Sequence, residues 1–264
     1  MGIAEKDKDW LISGSRTLAM RRRLLFAGRG RLGIAQDFAA SGRHESVLAT
    51  AHYWFASVVT VRAGALGFCD GRGTRLMDAK RFLLYLPAGA LVRMPLEQAQ
   101  VATLGITARI VPPGWPEQAL AIPCELTAQE ALCEKALSAV FAAVPWEPHR
   151  IDADCGLAAN LRVLRRRLYA YARGPAPVGR AARELGLAPA VLSRSFSAAF
   201  GLSPQKYCQR VRVHAAAVAL LGGLSIVQVG LSSGWQDLSR FYRQFRHATG
   251  ETPGRYRAAG GSGK

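Results

Sequence analysis

Acidic residues are scarce in the last part of the chain. Between positions 156 and 264 there are 17 Lys or Arg residues but only three carboxylates, Glu184, Asp237 and Glu251. This segment therefore has a net charge of +14, whereas the first 155 residues, with 18 basic and 15 acidic side chains, have a net charge of only +3. A compact basic segment beside a near-neutral one is typical of a protein that binds a polyanion, nucleic acid first and an acidic membrane second.

Cysteine is also sparse, and the chain has neither a CxxC motif nor a Cys/His group with zinc-finger spacing. Structural zinc sites need closely spaced ligands because one ion takes four of them. The spacing excludes a zinc finger and predicts reduced thiols, which are the usual state in the cytoplasm. The scattered residues are Cys69, Cys124, Cys133, Cys155 and Cys208.

Long apolar runs are missing as well. Arg21 to Arg23 precede only a four-residue apolar run, Leu24 to Ala27, which is too short for the core of a signal peptide. The longer stretch 213–231 divides into a helix, a turn and a second helix, since Gly222 and Gly223 interrupt it. We therefore predict no membrane span and expect a cytoplasmic protein.

An internal repeat is the most informative feature that the sequence does contain. Hydrophobic, basic, glycine and proline positions recur with a constant offset of 49 residues. Two copies are too few for a solenoid, which needs three or more repeats to bury its core, so the pattern indicates a duplicated supersecondary unit. The matched pairs are Leu192 and Phe241, Arg194 and Arg243, Phe196 and Phe245, Gly201 and Gly250, Pro204 and Pro253, and Tyr207 and Tyr256.

Each copy has the pattern of a helix, a glycine-containing turn and a second helix with one buried and one exposed face. Apolar spacing, prolines and polar caps predict helices over 159–172, 178–185, 189–200, 203–221, 225 onward and 236–248, with a last one starting at Thr252-Pro253. Ser203 is the expected N-cap of the long central helix, and Ser225 with Gln228 forms a capping box for the helix that follows.

The second helix of each unit is the predicted recognition helix. At 100° per residue, Leu192 and Phe196 share a buried face in the first unit, as do Phe241 and Phe245 in the second. An arginine-rich face on a single helix is more often a solvated surface, but two such faces in register favour DNA contact. The predicted DNA-binding residues are Ala190, Ser193, Arg194, Ser197, Gln236, Ser239, Arg240, Arg243, Arg246 and His247.

These motifs resemble the DNA-binding domain of AraC/XylS-family transcription regulators over residues 178–257. The first family motif, Leu-Ser-Arg-x-Phe followed by Gly-x-Ser-Pro-x-x-Tyr, stands at 192–207. The second is matched by Ile226, Val229 and Gly234, and the ending by Phe241, Phe245 and residues 250–257. Departures are Gly230 for the usual Ala, Trp235 for Phe, and Ala188 for a Ser cap; Gly230 and Ala188 should weaken their helices by about 1 kcal/mol each.

The N-terminal half is rich in predicted strands. β-branched and aromatic runs at 53–62, 65–69, 81–86 and 100–110 are separated by Asp-Gly and Pro-Gly turns. Thr127 and Glu130 form a capping box for an amphipathic helix that extends to about Ala143. Two roles remain open for that helix: it pairs with a second copy of the chain through Leu137 and Phe141, or it packs on its own sheet.

Strands followed by a helix, upstream of such a DNA-binding domain, resemble the cupin-like sensor domain of the same family. Cupin enzymes bind metal through a His-x-His motif and a Glu, but here His44 and His52 are eight positions apart. We therefore expect no metal, no cofactor and no catalytic residues. Aromatic residues on these strands either line a ligand pocket or, more often, fill the core; they are Tyr53, Trp54, Phe55, Phe82 and Tyr85.

The predicted fold is α+β, with a cupin-like β-rich sensor and dimerisation domain that includes a helical hairpin region at 1–145, a linker at 146–155, and an all-α domain of two helix-turn-helix units joined by a long helix at 156–264. The resemblance implies a bacterial transcription activator that binds double-stranded DNA, contacts RNA polymerase, responds to an unknown small-molecule effector and forms a homodimer. The alternatives are a DNA-repair alkyltransferase, which would need clustered thiols, and a non-specific nucleoid binder, which would need charge alone.

Overall fold

The computed structural model describes residues 18–28, 31–70, 73–153 and 157–260. Its strands are β1 (Leu18–Gly28), β2 (Arg31–Ala40), β3 (Arg43–Ala49), β4 (Trp54–Asp70), β5 (Gly73–Leu76), β6 (Arg81–Leu86), β7 (Leu91–Ala108) and β8 (Leu120–Pro123). Its helices are α1 (Glu134–Ala143), α2 (Ala159–Tyr171), α3 (Pro177–Glu184), α4 (Pro189–Phe200), α5 (Pro204–Leu221), α6 (Ile226–Ser232), α7 (Leu238–Thr249) and α8 (Pro253–Gly260). The predicted α+β organisation, with strands first and helices last, is confirmed.

The strands form one antiparallel sheet around the long strand β7. The order along the sheet is β1-β2-β7-β4-β6-β8, with β3 also on β7 and β5 on β4. One face buries an apolar cluster that includes Phe82 and Val92, and the opposite face buries a second cluster that includes Trp54 and Tyr85. Because Trp54, Phe82 and Tyr85 are completely buried, the structure places these aromatic residues in the core.

The strands of the sheet differ in extent from those predicted from the sequence. The runs predicted at 53–62 and 65–69 form the single strand β4, whose register shifts around Ala63, and β7 begins nine residues before the predicted run at 100–110. Gly64 explains the interruption, since it has φ +69° and a Cβ there would lie 2.3 Å from the Gln98 carbonyl oxygen. The glycine that broke the strand pattern is required by the close approach of β7.

The helix predicted from Thr127 to Ala143 is shorter in the structure. Thr127 and Glu130 exchange the expected capping hydrogen bonds, but they begin only a 3-10 turn over Glu130–Leu132, and α1 starts at Glu134. Leu137 and Phe141 are buried in the cluster beneath α1, together with Trp54 and Tyr85. The proposal that these two side chains contact a second copy is therefore wrong, and α1 packs on its own sheet.

The segment that follows Pro148 is held against the sheet. Ile151 N–H donates to the Ala119 carbonyl, Ala153 N–H donates to the Leu91 carbonyl, and Asp152 accepts from the Ala119 amide at 3.1 Å. These three residues are buried, so the end of the predicted linker at 151–153 packs on the strands. Residues 154–156 of the boundary lie outside the described residues, and the three domain limits remain a prediction.

The helices of the C-terminal half confirm the repeat at the level of backbone and caps. Gly201 and Gly250 end α4 and α7 in left-handed conformation, with φ 70° and 76°. Ser203 accepts from the Lys206 amide at 3.3 Å, and Thr252 accepts from the Arg255 amide at 3.4 Å, again 49 residues apart. Local capping chemistry is thus repeated along with the hydrophobic pattern.

The helical half packs directly on the sheet through two apolar clusters. One joins Ala49, Ala51 and Leu91 to the first helix-turn-helix unit, and the other joins Leu32 and Ile34 to α5 and the second unit. Polar contacts are added along the same contact surface: His214 Nδ1 accepts from the Ala51 amide at 3.0 Å. Among the described residues, no helix is both long and apolar enough to cross a membrane.

Candidate nucleic-acid interface

The first unit consists of α3, a turn at Gly186 and α4. Leu192, Phe196 and Phe200 point from α4 into the core and are fully buried, with the Phe196 ring centroid 5.5 Å from that of Tyr207 on α5. Helix α4 starts after Ala188 without a side-chain cap, as the sequence indicated, and Pro189 occupies its first turn. The core of the unit fixes which face of α4 remains open.

The predicted contact residues of the first unit lie on that open face. Ala190 and Arg194 are exposed, and Ser193 and Ser197 are half-buried. Arg194 makes no ion pair with any carboxylate of the described chain. This face therefore carries one long hydrogen-bond donor, Arg194, among small side chains.

The second unit consists of α6, a turn at Gly234 and α7. Trp235 is buried where the family pattern has Phe, and its indole N–H donates to Gln244 Oε1 at 2.8 Å. Gly234 has φ +93°, and a Cβ there would lie 2.2 Å from the Arg173 carbonyl oxygen, so this turn tolerates only glycine. Asp237 caps α7 by accepting from the Arg240 amide at 2.6 Å, a cap that the sequence analysis missed by starting the helix at Gln236.

The open face of α7 is strongly basic. Phe241 and Phe245 are buried, and all six predicted contact residues of this unit are exposed: Gln236, Ser239, Arg240, Arg243, Arg246 and His247. In the part of the chain that the structure describes, none of these arginines pairs with a carboxylate, whereas Arg180 of α3 lies 3.7 Å from Glu184. Unpaired guanidinium groups on a recognition helix are the donors that guanine edges and DNA phosphates accept from.

Several other arginines of the basic half are used inside the protein. Arg165 donates to the Gly89 carbonyl and Arg210 to the Val47 carbonyl, across the contact between the two halves. Arg212 donates to the Ala172 and Gly174 carbonyls at the end of α2. The net charge of the segment assigns all of these arginines to DNA binding, because carbonyl partners so distant in the chain leave no signal in the sequence.

Arg173, two residues after the end of α2, contacts both the N-terminal domain and the second unit. Its Nη1 lies 3.1 Å from His52 Nδ1, and its Nε donates to the Ser232 carbonyl at the end of α6. Burial, together with the positive charges of Arg173 and Arg109, lowers the pKa of His52 to about 4. Since arginine can only donate, the neutral imidazole of His52 is the acceptor in this contact.

Among the described residues, the side chains that could ligate a metal are scattered. Within the described ranges, no group of three His, Cys, Asp or Glu side chains could hold a metal ion. Cys69 and Cys208 are buried, and burial raises the pKa of Cys208 to about 12. A zinc-held nucleophilic thiol, as the alkyltransferase alternative requires, has no ligand set among these residues.

The chain is similar to a known family profile and to several solved structures. A family profile described as a helix-turn-helix domain matches residues 181–259, and none of the curated proteins matches the chain. The C-terminal domain of AraT, a response regulator from Geobacillus stearothermophilus, is 25% identical, covering 39% of this chain and 86% of that one with a TM-score of 0.37.

Two further solved structures are similar. A probable AraC family transcriptional regulator from Rhodopseudomonas palustris is 23% identical and covers 39% of this chain and 98% of its own, with a TM-score of 0.36. ToxT from Vibrio cholerae is 11% identical and covers 83% and 98%, with a TM-score of 0.46. The profile match confirms the predicted resemblance over the helical half: residues 181–259 form an AraC-type helix-turn-helix domain.

Proposed function

We propose that the chain is a sequence-specific regulator whose α4 and α7 enter two successive major grooves on one side of the duplex. The observation that carries this proposal is the pair of exposed recognition faces at positions 49 residues apart, joined by α5. Helix α5 has 18 residues, which gives a length of about 27 Å. Adjacent major grooves are about 34 Å apart, and the widths of the helices supply the difference.

The N-terminal domain is proposed to modulate this binding, in response to an effector not yet identified. The support is its direct contact with α5, the helix that sets the spacing of the two recognition helices. Activation through RNA polymerase, action in the bacterial cytoplasm and assembly as a homodimer are also part of the proposal. A dimer would use a surface other than Leu137 and Phe141, which are buried.

DNA binding by the isolated segment 156–264 should depend strongly on salt. Its net charge of +14 should neutralise several phosphates, and the slope of log K against log salt should be about −0.9 for each phosphate contacted. Fluorescence anisotropy between 50 and 300 mM NaCl measures this slope. Binding that does not change with salt would refute the electrostatic part of the proposal, and equal affinity for selected and random duplexes would favour the nucleoid-type alternative.

The second unit should discriminate between sequences more strongly than the first. Arg246→Ala should relax base preference at one or two positions by about 1–3 kcal/mol each, because a bidentate contact to guanine would be lost. Arg194→Ala should weaken binding to all sequences by a similar factor if Arg194 holds phosphate. Affinity measured over a library of binding sites separates the two patterns, and uniform losses for both variants would assign both arginines to the backbone.

A further inference from the structure

A cleft lies between the two helix-turn-helix units. It has a volume of about 300 Å³, is open to solvent, and is bounded by small and apolar residues at the start of α3, by the first half of α5 and by the first turns of α7. Gln205, Gln209 and Arg212 line it from α5, and Arg240 and Gln244 line it from α7. Among the described residues, no carboxylate belongs to its lining.

The charges at this cleft are not compensated. Arg212 is half-buried, and its pKa is lowered by burial and by the positive charge of Arg240. Arg212 uses Nε and Nη2 for the Ala172 and Gly174 carbonyls, which leaves its Nη1 donors unused by those two bonds. An anion between Arg212 and Arg240 would relieve the repulsion of the two guanidinium groups.

The three glutamines of the lining are also suited to donate hydrogen bonds. Gln244 accepts from Trp235 through its Oε1, so its amide NH₂ group is oriented away from that bond. Gln205 is exposed, and Gln209 is half-buried one turn further along α5. Glutamine and arginine side chains together form a donor-rich surface of the kind that contacts DNA phosphate oxygens.

The position of the cleft relates it to DNA. Arg240 follows Ser239 on α7 and lies on the side of that helix that faces the first unit, next to the exposed face that carries Arg243 and Arg246. If α4 and α7 occupy successive major grooves, the DNA backbone that borders the intervening minor groove passes across the surface between the two units. The cleft lies between the two units, and its lining includes Arg240 of α7.

We propose that this cleft binds a backbone phosphate of the DNA between the two major-groove contacts, with Arg240 and Arg212 as the charged donors. This inference rests on the proposed two-groove function and adds a third, sequence-independent contact to it. Its effect is to fix the protein on the duplex at the midpoint between the recognition helices. Such a contact changes affinity equally for all base sequences.

The test is a double-mutant cycle. One change is a substitution in the protein, and the other is the neutralisation of a single DNA phosphate. The probe is the tightest duplex that the full-length chain selects from a random library, carrying one neutral methylphosphonate at a time across the central ten or so base pairs. For the wild-type chain, one central substitution should weaken binding about tenfold. For Arg240→Gln, the same substitution should cost almost nothing more, because the partner charge is already absent.

The matched control is Arg257→Gln, which removes an exposed arginine of the same domain that does not line the cleft. The loss of affinity caused by Arg257→Gln should be additive with the loss caused by each central methylphosphonate.

Arg240→Gln should also make the slope of log K against log salt about 0.9 less negative than that of the wild type. Circular dichroism and Tm show whether each variant is folded, and Gln209→Glu, which places a negative charge in the cleft, should weaken binding to selected and random duplexes alike.

The outcomes distinguish this inference from the function on which it rests. If the wild-type chain selects no duplex, the proposed function fails and the inference fails with it. If it selects a duplex but no central methylphosphonate couples to Arg240→Gln, only the cleft contact is overturned. A rise in Tm of the DNA-free chain with inorganic phosphate, without coupling on DNA, assigns the cleft to a free anion and also overturns the proposal.

Discussion

Inserting five base pairs between the two contacted DNA segments should abolish specific binding by the full-length chain. Five base pairs are about half a helical turn, so the insertion moves one segment to the opposite side of the duplex. Helix α5 is continuous over 18 residues and is packed along much of its length, so it cannot follow this rotation. Affinity should fall about a thousandfold or more, to the non-specific level.

The measurement is a titration of the selected duplex, with footprinting of the bound complex. The uninserted duplex should show two protected patches about ten base pairs apart for each protomer. The control is the same five base pairs placed outside the patches, which should leave affinity unchanged. Affinity that survives the central insertion would show that α4 and α7 do not read DNA together.

Ile34→Asp should separate the sheet from α5. Ile34 is 6% exposed and belongs to the apolar cluster that joins β2 to the second unit. An unpaired carboxylate in such a position costs ~3–5 kcal/mol. The expected result is loss of hydrogen-exchange protection along α5, with unfolding in two steps in place of one. The full-length variant should then bind the selected DNA as the isolated segment 156–264 does, because the proposed coupling runs through this contact.

The control for this variant is Ala39→Asp on the same strand. Ala39 is exposed and lies on the opposite face of β2, so the added charge remains in water. In Ala39→Asp, the hydrogen-exchange protection of α5 and the Tm should both match those of the wild type. Wild-type protection in Ile34→Asp itself would show that β2 does not hold α5.

The helical half could be predicted closely because its signals are local. Pro189, the left-handed Gly201 and the Ser203 cap fix the ends of α4 and the start of α5 through contacts within four residues along the chain. The buried faces followed from helical periodicity, since Phe196 and Phe245 repeat in register. For the same reason, the structure leaves the predicted contact residues of α7 exposed.

The rest depended on contacts that the sequence does not record. Strands β1 to β3 were not predicted, and Leu32 and Ile34 are buried in the cluster that they form with α5 and the second unit. Arg210 is 163 residues from its partner Val47, and Arg165 is 76 from Gly89. No periodic pattern distinguishes such an arginine from one that faces solvent, so the charge available to DNA was overestimated.

The length of β7 gives the two recognition units a common support. Its first part pairs with β3, beside Leu91 and the first unit, and its last part pairs with β2, beside Ile34 and the second unit. Between these parts stands Gln98, a residue other than glycine with φ +46°. The two units are thus carried at opposite ends of one strand, so β7 links them through the sheet while α5 links them within the helical half.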